Sequence, residues 1–315
     1  MRRFPERTRR AYEAISGCPS VSGARTKMKR IFIIGMIVAA LASACRAPEK
    51  TVAPTSTPSA PSALEVLLAN SRNVVGPNRF ALGVVRDGNS VKDAQVHLQF
   101  FDLTSGQAVA TQEMDAPYYG DNLGQAGVYV AHADFKQAGA WGVEVTVTQA
   151  GYAPEAKRLA FDVLAQDPSP GIGALAPRTK NLTLSDVGGD RAKICSALED
   201  DSLLHRVSIA EAVTNGKPTV ILFATPRFCA TRTCGPSLQV VTSLAQNYAD
   251  RVNFIHVEVY KNFETFEVAD AMREWNLETE PWLFFVDRDG KIVAKFEGGI
   301  TAQEIVPAFL KFIGA

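Results

Sequence analysis

From Leu64 to about residue 166 the apolar residues come in short runs broken by turn-forming residues. The runs are Leu64–Ala69, Arg79–Arg86, Ala94–Leu103, Ala108–Met114, Gly127–Phe135, Trp141–Thr148 and Arg158–Leu164. The stretch "VEVTVTQ" alternates with a period of two, as a half-buried strand does, while Asp87-Gly88-Asn89 and Ser105-Gly106 supply turns. About seven strands without a helical period in roughly a hundred residues predict an all-β sandwich. His97 and His132 fall on alternating strands and read as structural, and Trp141 reads as a core anchor.

Past the Pro- and Gly-rich stretch "QDPSPGIGALAPRT" the period changes. A strand is expected over Asn181–Asp186. Ser208-Ile209-Ala210-Glu211 has the form of a capping box, opening a short helix that ends near Gly216. Pro218–Ala224, "PTVILFA", is apolar throughout, as a strand covered on both faces must be. A helix over about Pro236–Tyr248, a strand over Val252–Val259 and an amphipathic helix over Phe263–Trp275 follow. Trp282–Asp287 and Lys291–Glu297 flank Arg288-Asp289-Gly290 as a hairpin, and Thr301-Ala302-Gln303-Glu304 caps a last helix. The expected order is β-α-β-α-β-β-α after a leading strand, an α/β domain.

The chain therefore divides into 1–45, an N-terminal extension and export signal; 46–63, a Pro/Ser/Thr-rich linker; 64–166, the sandwich; 167–174, a second linker; and 175–315, the α/β domain. The signal is "MKRIFIIGMIVAALASAC", with Lys29 and Arg30 ahead of an uncharged run from Ile31 to Ala44. That run is shorter than the roughly 20 residues a bilayer span needs, and small residues precede Cys45. Met28 is the expected start of translation, which removes Cys18 from the mature chain. The linker "RAPEKTVAPTSTPSAPSA" cannot bury a core and is expected to be an extended tether.

Composition changes this picture in one respect. Of 33 basic and 33 acidic residues, nine basic and two acidic lie in the first 30, so the remainder holds 24 against 31. A mildly acidic body offers no electrostatic attraction to nucleic acid. A Gly-rich phosphate loop, a His-Glu-x-x-His zinc helix and a Gly-x-Ser-x-Gly elbow are all missing from the sequence.

Three resemblances refine these expectations. Leu41-Ala42-Ser43-Ala44-Cys45 resembles the lipobox of bacterial lipoproteins. That implies a diacylated Cys45 as the mature N-terminus, holding the protein on the extracytoplasmic side of the cell membrane. "GVYVAHADFKQAGAWGVEVTV" resembles the last strands of small Ig-like modules of exported bacterial proteins, so the sandwich is expected to be Ig-like. The segment from about Leu175 to Ala315 resembles the thioredoxin superfamily through "VILFATPRFCATRTCGP", the "EPWLFFVDRDGKIVAKFEG" hairpin and the final helix. The resemblance implies a cis-proline at Pro281, with Glu280 before it offering its backbone to a substrate chain.

The cysteine spacing departs from the family's Cys-x-x-Cys, because four residues separate Cys229 from Cys234. Either Phe228-Cys229 matches the family's aromatic–cysteine pair, or Cys234-Gly235-Pro236-Ser237 matches Cys-Gly-Pro-Cys with Ser237 in the second place. A helix start lowers a thiol pKa, which singles out Cys234, with Arg227 and Arg232 as additional positive charges. Four intervening residues can bring the two thiols within disulfide reach. The central strand lacks the family's buried acid, so His256 becomes the candidate proton relay. The function these features imply is thiol–disulfide exchange through Cys229 and Cys234 on exported proteins, without a bound cofactor and without nucleic acid. The alternatives are a binding protein with a structural disulfide, and a Sco-like copper-binding protein, since Cu(I) favours thiolates. Cys195 stays open between a buried thiol and a second resolving cysteine.

Overall fold

The computed structural model describes residues 64–120, 123 and 127–314. The export signal, Cys45 and the tether lie outside the described residues.

The N-terminal part is built of strands: β1 Leu64–Leu68, β2 Asn73–Val74, β3 Gly76–Arg86, β4 Asn89–Ser90, β5 Gln95–Asp102, β6 Val109–Asp115, β7 Tyr118–Tyr119, β8 Val128–Phe135, β9 Gly139–Thr148 and β10 Glu155–Leu164. One sheet runs β1-β3-β8-β7 with β4 on β3, the other β2-β10-β9-β5-β6. Inward residues of both sheets, among them Phe80, Phe100, Phe135, Val145 and Phe161, form one core. Trp141 is buried in that core, stacks edge-on against Phe135 and donates its indole N–H to the Gln137 carbonyl at 3.0 Å. The strand-rich domain read from the period-two runs is therefore present, with additional two-residue strands β2, β4 and β7 that no hydrophobic pattern could reveal.

The C-terminal part is an α/β domain. Its elements are α1 Ile209–Ala212, β11 Thr219–Ala224, α2 Cys234–Tyr248, β12 Asn253–Glu258, β13 Tyr260–Asn262, β14 Glu267–Val268, α3 Asp270–Glu274, β15 Trp282–Val286, β16 Ile292–Glu297 and α4 Ala302–Ile313. The main sheet runs β12-β11-β15-β16, with β12 parallel to β11 and the other pairings antiparallel. Every residue of β11 is buried, because helices cover both faces. Val220, Leu222 and Ala224 face α2 and α4, whereas Ile221 and Phe223 face α1 and α3.

Local chemistry explains the starts of the helices. Ser208 and Glu211 complete the capping box of α1. Thr301 accepts from the Glu304 N–H at α4, but the Glu304 carboxylate turns away to Arg79 of β3. That bond belongs to a clamp between the domains. The Arg79 guanidinium also donates to the carbonyls of Glu297 at 2.7 Å and Gly299 at 2.9 Å.

Two expectations are corrected. The leading strand expected over Asn181–Asp186 is a turn, since Asp186 accepts from both the N–H and the hydroxyl of Thr183, and the chain pairs ahead of α1 through one bridge farther upstream, Leu175 to Lys291. The helix expected over Phe263–Trp275 is confined to α3, because Asn262 Oδ1 caps a turn at Glu264 and Thr265 and diverts the chain into the β13–β14 hairpin. The aromatic positions that suggested a helical face, Phe263 and Phe266, instead pack with Phe228 and Tyr260.

Candidate functional site

The loop after β11 carries Cys229 at its rim and delivers Cys234 as the first residue of α2. Two tight turns shape it: the N–H groups of Phe228 and Cys229 bond to the Thr225 carbonyl, and the Arg232 N–H bonds to the Cys229 carbonyl. Arg232 adopts a left-handed φ of 59°, which closes the second turn. Both cysteines are free thiols. Cys234 is wholly buried and Cys229 is 9% exposed.

The peptide between Glu280 and Pro281 is cis and lies beside them. One carboxylate oxygen of Glu280 and the two sulfurs fall within 4.8 Å of one another. The sequence pointed to the backbone of Glu280; its side chain had no such signal, and only the folded loop brings the acid to the thiols.

Electrostatics separate the two sulfurs. The Cys229 thiol is lowered to about 5, first by a hydrogen bond from the Cys234 thiol, against burial, and then by the Thr231 hydroxyl and the N–H groups of Cys234 and Thr233. Burial, reinforced by the neighbouring Cys229, pushes Cys234 far upward. The expectation that Cys234 carries the stabilised thiolate is thus corrected. The helix start does favour a thiolate, but on the sulfur lying in front of it, because Cys234 itself points into the core with Leu238 and Val241. Arg227 stacks on Phe228 rather than joining the thiols. Burial and the charge on Cys229 raise Glu280 to about 7, near the pH at which a carboxyl best exchanges protons.

His256, the expected relay, is elsewhere. Its Nδ1 bonds Asp201 at 2.8 Å and its Nε2 bonds the Ala224 carbonyl at 3.1 Å, in a buried group with Cys195 and His205. Burial alone depresses its pKa, but Asp201 holds it well above the ordinary histidine range. Cys195 is therefore a buried thiol of this second group and does not reach the Cys229–Cys234 pair.

A groove of about 620 Å³ runs along the cysteine loop. Ala230, Arg232 and Glu280 line one wall, and Leu67, Val85 and Ser90 of the strand-rich domain line the other.

Residues 206–313 match the family model of a thioredoxin-like domain. The C-terminal domain is thioredoxin-like. Residues 59–146 match a second family model, described as YtkA-like, which places a distinct β module ahead of it. Among solved structures, a putative thiol:disulfide interchange protein DsbE from Chlorobium tepidum is 16% identical, covering 46% of this chain and 100% of its own, with a TM-score of 0.34. A DsbF homologue from Corynebacterium diphtheriae is 13% identical over 46% of this chain and 96% of its own, TM-score 0.29. A DUF4426 family protein from Pseudomonas aeruginosa PAO1 is 13% identical over 34% of this chain and 91% of its own, TM-score 0.24. No curated protein matches the chain. The thioredoxin-like domain has the type of fold that thiol–disulfide oxidoreductases use.

Proposed function

We propose that this protein is a thiol–disulfide oxidoreductase of exported proteins, anchored through Cys45 on the extracytoplasmic face of the cell membrane. The observation that carries the reading is the division of labour between sulfurs: a low-pKa thiol at the rim, Cys229, backed by a buried, proton-holding thiol, Cys234. Thioredoxin-like relatives act on protein thiols, and a groove of about 620 Å³ lies beside Glu280 and the cysteine loop, where a substrate chain would approach.

In the reducing direction the Cys229 thiolate attacks a sulfur of the partner's disulfide. A mixed disulfide forms and the other partner sulfur leaves as a thiolate. Glu280 takes the proton from Cys234, directly or through one water, and the new thiolate attacks the Cys229 sulfur. The protein then holds a Cys229–Cys234 disulfide, the partner a dithiol, and two electrons have moved. The same steps reversed oxidise a partner.

The test is trapping. Cys234→Ser should accumulate a mixed disulfide between Cys229 and exported partners, while Cys229→Ser should accumulate none. Trapping by neither variant, together with a pair potential below about −300 mV, would return the pair to a structural disulfide.

A second reading rests on the approach of the two sulfurs within 4.8 Å, because a pair of thiolates suits a soft ion such as Cu(I), while the nearby Glu280 carboxylate is a hard donor that adds nothing to that preference. One equivalent of Cu(I), lost from both single variants, marks that outcome.

A further inference from the structure

Behind the cysteine loop, four ligating side chains converge that take no part in the thiol chemistry: Cys195, Asp201 and His205 from the segment ahead of α1, and His256 from β12. Their exposures are 3, 2, 1 and 1%, and one donor atom of each lies within 4.8 Å of every other. Cys195 Sγ is 3.3 Å from Asp201 Oδ2 and 3.6 Å from His256 Nδ1. Asp201 Oδ2 is 3.0 Å from His205 Nε2 and 2.8 Å from His256 Nδ1. Donors held tetrahedrally at zinc–nitrogen, –oxygen and –sulfur bond lengths stand roughly 3.3–3.6 Å apart. The two Cys195 contacts already have that spacing, and the two from Asp201 to the histidines, hydrogen bonds without a metal, need lengthen by only about 0.3–0.5 Å to reach it.

The outer contacts also match what metal ligands need. The Ala224 carbonyl can only accept, so His256 Nε2 keeps a proton, and Nδ1, which donates to Asp201 Oδ2 in the absence of a metal, is the nitrogen that binds an ion once that proton is released. Arg191 Nη1 donates to Cys195 Sγ at 3.3 Å and to Asp201 Oδ1 at 2.9 Å, and the Ala197 N–H donates to the same sulfur at 3.3 Å. A structural ion pair requires one carboxylate and one cation. Arg191 already gives Asp201 a cation, so two histidines and a thiol gathered on its other oxygen exceed that requirement.

We propose that Cys195, Asp201, His205 and His256 form a closed structural site for a tetrahedral divalent metal of the zinc class. A thiolate and two imidazoles disfavour magnesium and calcium, and two anionic with two neutral donors neutralise a divalent ion. Four protein donors leave no open position, so the role is to hold rather than to catalyse. The site fastens the 191–205 segment to β12. Through the Ser196 Oγ bond from the Arg227 N–H, it also fastens that segment to the cysteine loop. Asp201 borders one surface cleft of about 490 Å³ and His256 another of about 380 Å³, which give an ion a route in.

The experiment uses the full chain carrying Cys229→Ser and Cys234→Ser, so that its outcome is independent of thiol exchange. Equilibrated with Co(II) and gel-filtered, it should retain one equivalent, with visible bands of tetrahedral Co(II) and a thiolate-to-metal charge-transfer band. Adding Cys195→Ser should abolish the charge-transfer band, and His205→Ala should abolish stoichiometric retention. Should those variants fail to fold, the unaltered chain decides: zinc should slow alkylation of Cys195, read by peptide mass spectrometry, at least tenfold. Folded protein that retains no metal, a charge-transfer band surviving Cys195→Ser, or alkylation of Cys195 at one rate with and without zinc each overturns the site.

Discussion

The backbone N–H of Cys234 is directed at the sulfur of Cys229. A helix start and a buried residue thus serve the preceding cysteine, and the five-residue offset between them is what makes this geometry possible. In a shorter loop the first cysteine itself would sit at the helix start; here the loop doubles back through Arg232 to place it there.

Cys229 should consequently alkylate at a rate nearly constant between pH 6 and 8, because it is already ionised above about 5. An ordinary thiol, with a pKa of about 8.5, gains about tenfold per pH unit over that range. The absolute rate at pH 6.5 should exceed that of a free thiol only modestly, since a low-pKa thiolate is also a weaker nucleophile. Cys234→Ala should move the Cys229 titration upward by removing its principal hydrogen-bond donor. A Cys229 rate that climbs tenfold per unit through pH 8 contradicts the assignment.

Glu280 links function to stability. Its carboxyl is raised to about 7 in the folded protein, above the ordinary carboxyl value, so between roughly pH 4.5 and 7 the native state holds a proton that the unfolded chain has released. Folding stability therefore falls as pH rises through that window. Glu280→Gln should remove the fall and leave the reduced protein more stable at pH 8. The full shift corresponds to about 3 kcal/mol, and screening at this partly exposed rim reduces it to on the order of 1 kcal/mol. The same variant should slow release of mixed disulfides while leaving Cys229 alkylation almost unchanged. Equal slopes of stability against pH for the two proteins, by urea titration, would exclude the linkage.

The parts of this molecule legible in its sequence are those governed by local pattern. The β11 run Val220–Ala224, the alternating β9 and the Ser208 capping box each declare themselves within a few residues. What failed was set by contacts across the chain. Phe263 and Phe266 follow a helical spacing but are claimed by Phe228, a residue of the cysteine loop. His256 is one strand away from the cysteine loop in topology, yet Asp201 captures it from a segment that carries no regular secondary-structure pattern. The spacing Cys195-x5-Asp201-x3-His205 was the one local sign of that cluster, and it matches no common metal motif.

The domain clamp yields a third prediction. Arg79 is 11% exposed and makes a two-point contact with Glu304, at 2.7 and 2.8 Å, besides its two backbone carbonyls. Arg79→Ala leaves the Glu304 carboxylate and those carbonyls without their donor, a change that typically costs about 3 kcal/mol at a buried pair. Calorimetry should show a lower midpoint and a broadened or split transition as the domains uncouple. A midpoint within a degree of the parent's would mean that the domains are held together by other contacts.

Gly298 marks the point where the cis-proline peptide and the strand-rich domain meet. Its N–H bonds the Pro281 carbonyl at 3.0 Å, its φ is +80°, and a Cβ there would lie 2.5 Å from the Ala69 carbonyl oxygen. Gly298→Ala therefore meets two separate penalties, left-handed backbone strain and a backbone clash that no rotamer relieves; together they should cost about 2 kcal/mol or more. Gly299 is the matched control. A Cβ at that position meets side-chain rather than backbone atoms, of Val128 and Leu123 at 3.0 and 3.1 Å, and its φ is not left-handed, so it carries a packing penalty without the backbone strain. Relief of the Gly298→Ala clash pushes Ala69 away from Gly298 and widens the groove that both line with Glu280. Reduction of a protein disulfide should then slow more than reduction of a small disulfide that needs no groove. If Gly298→Ala unfolds within about 0.5 kcal/mol of Gly299→Ala and treats both substrates alike, the strand-rich domain is not a wall of the substrate groove.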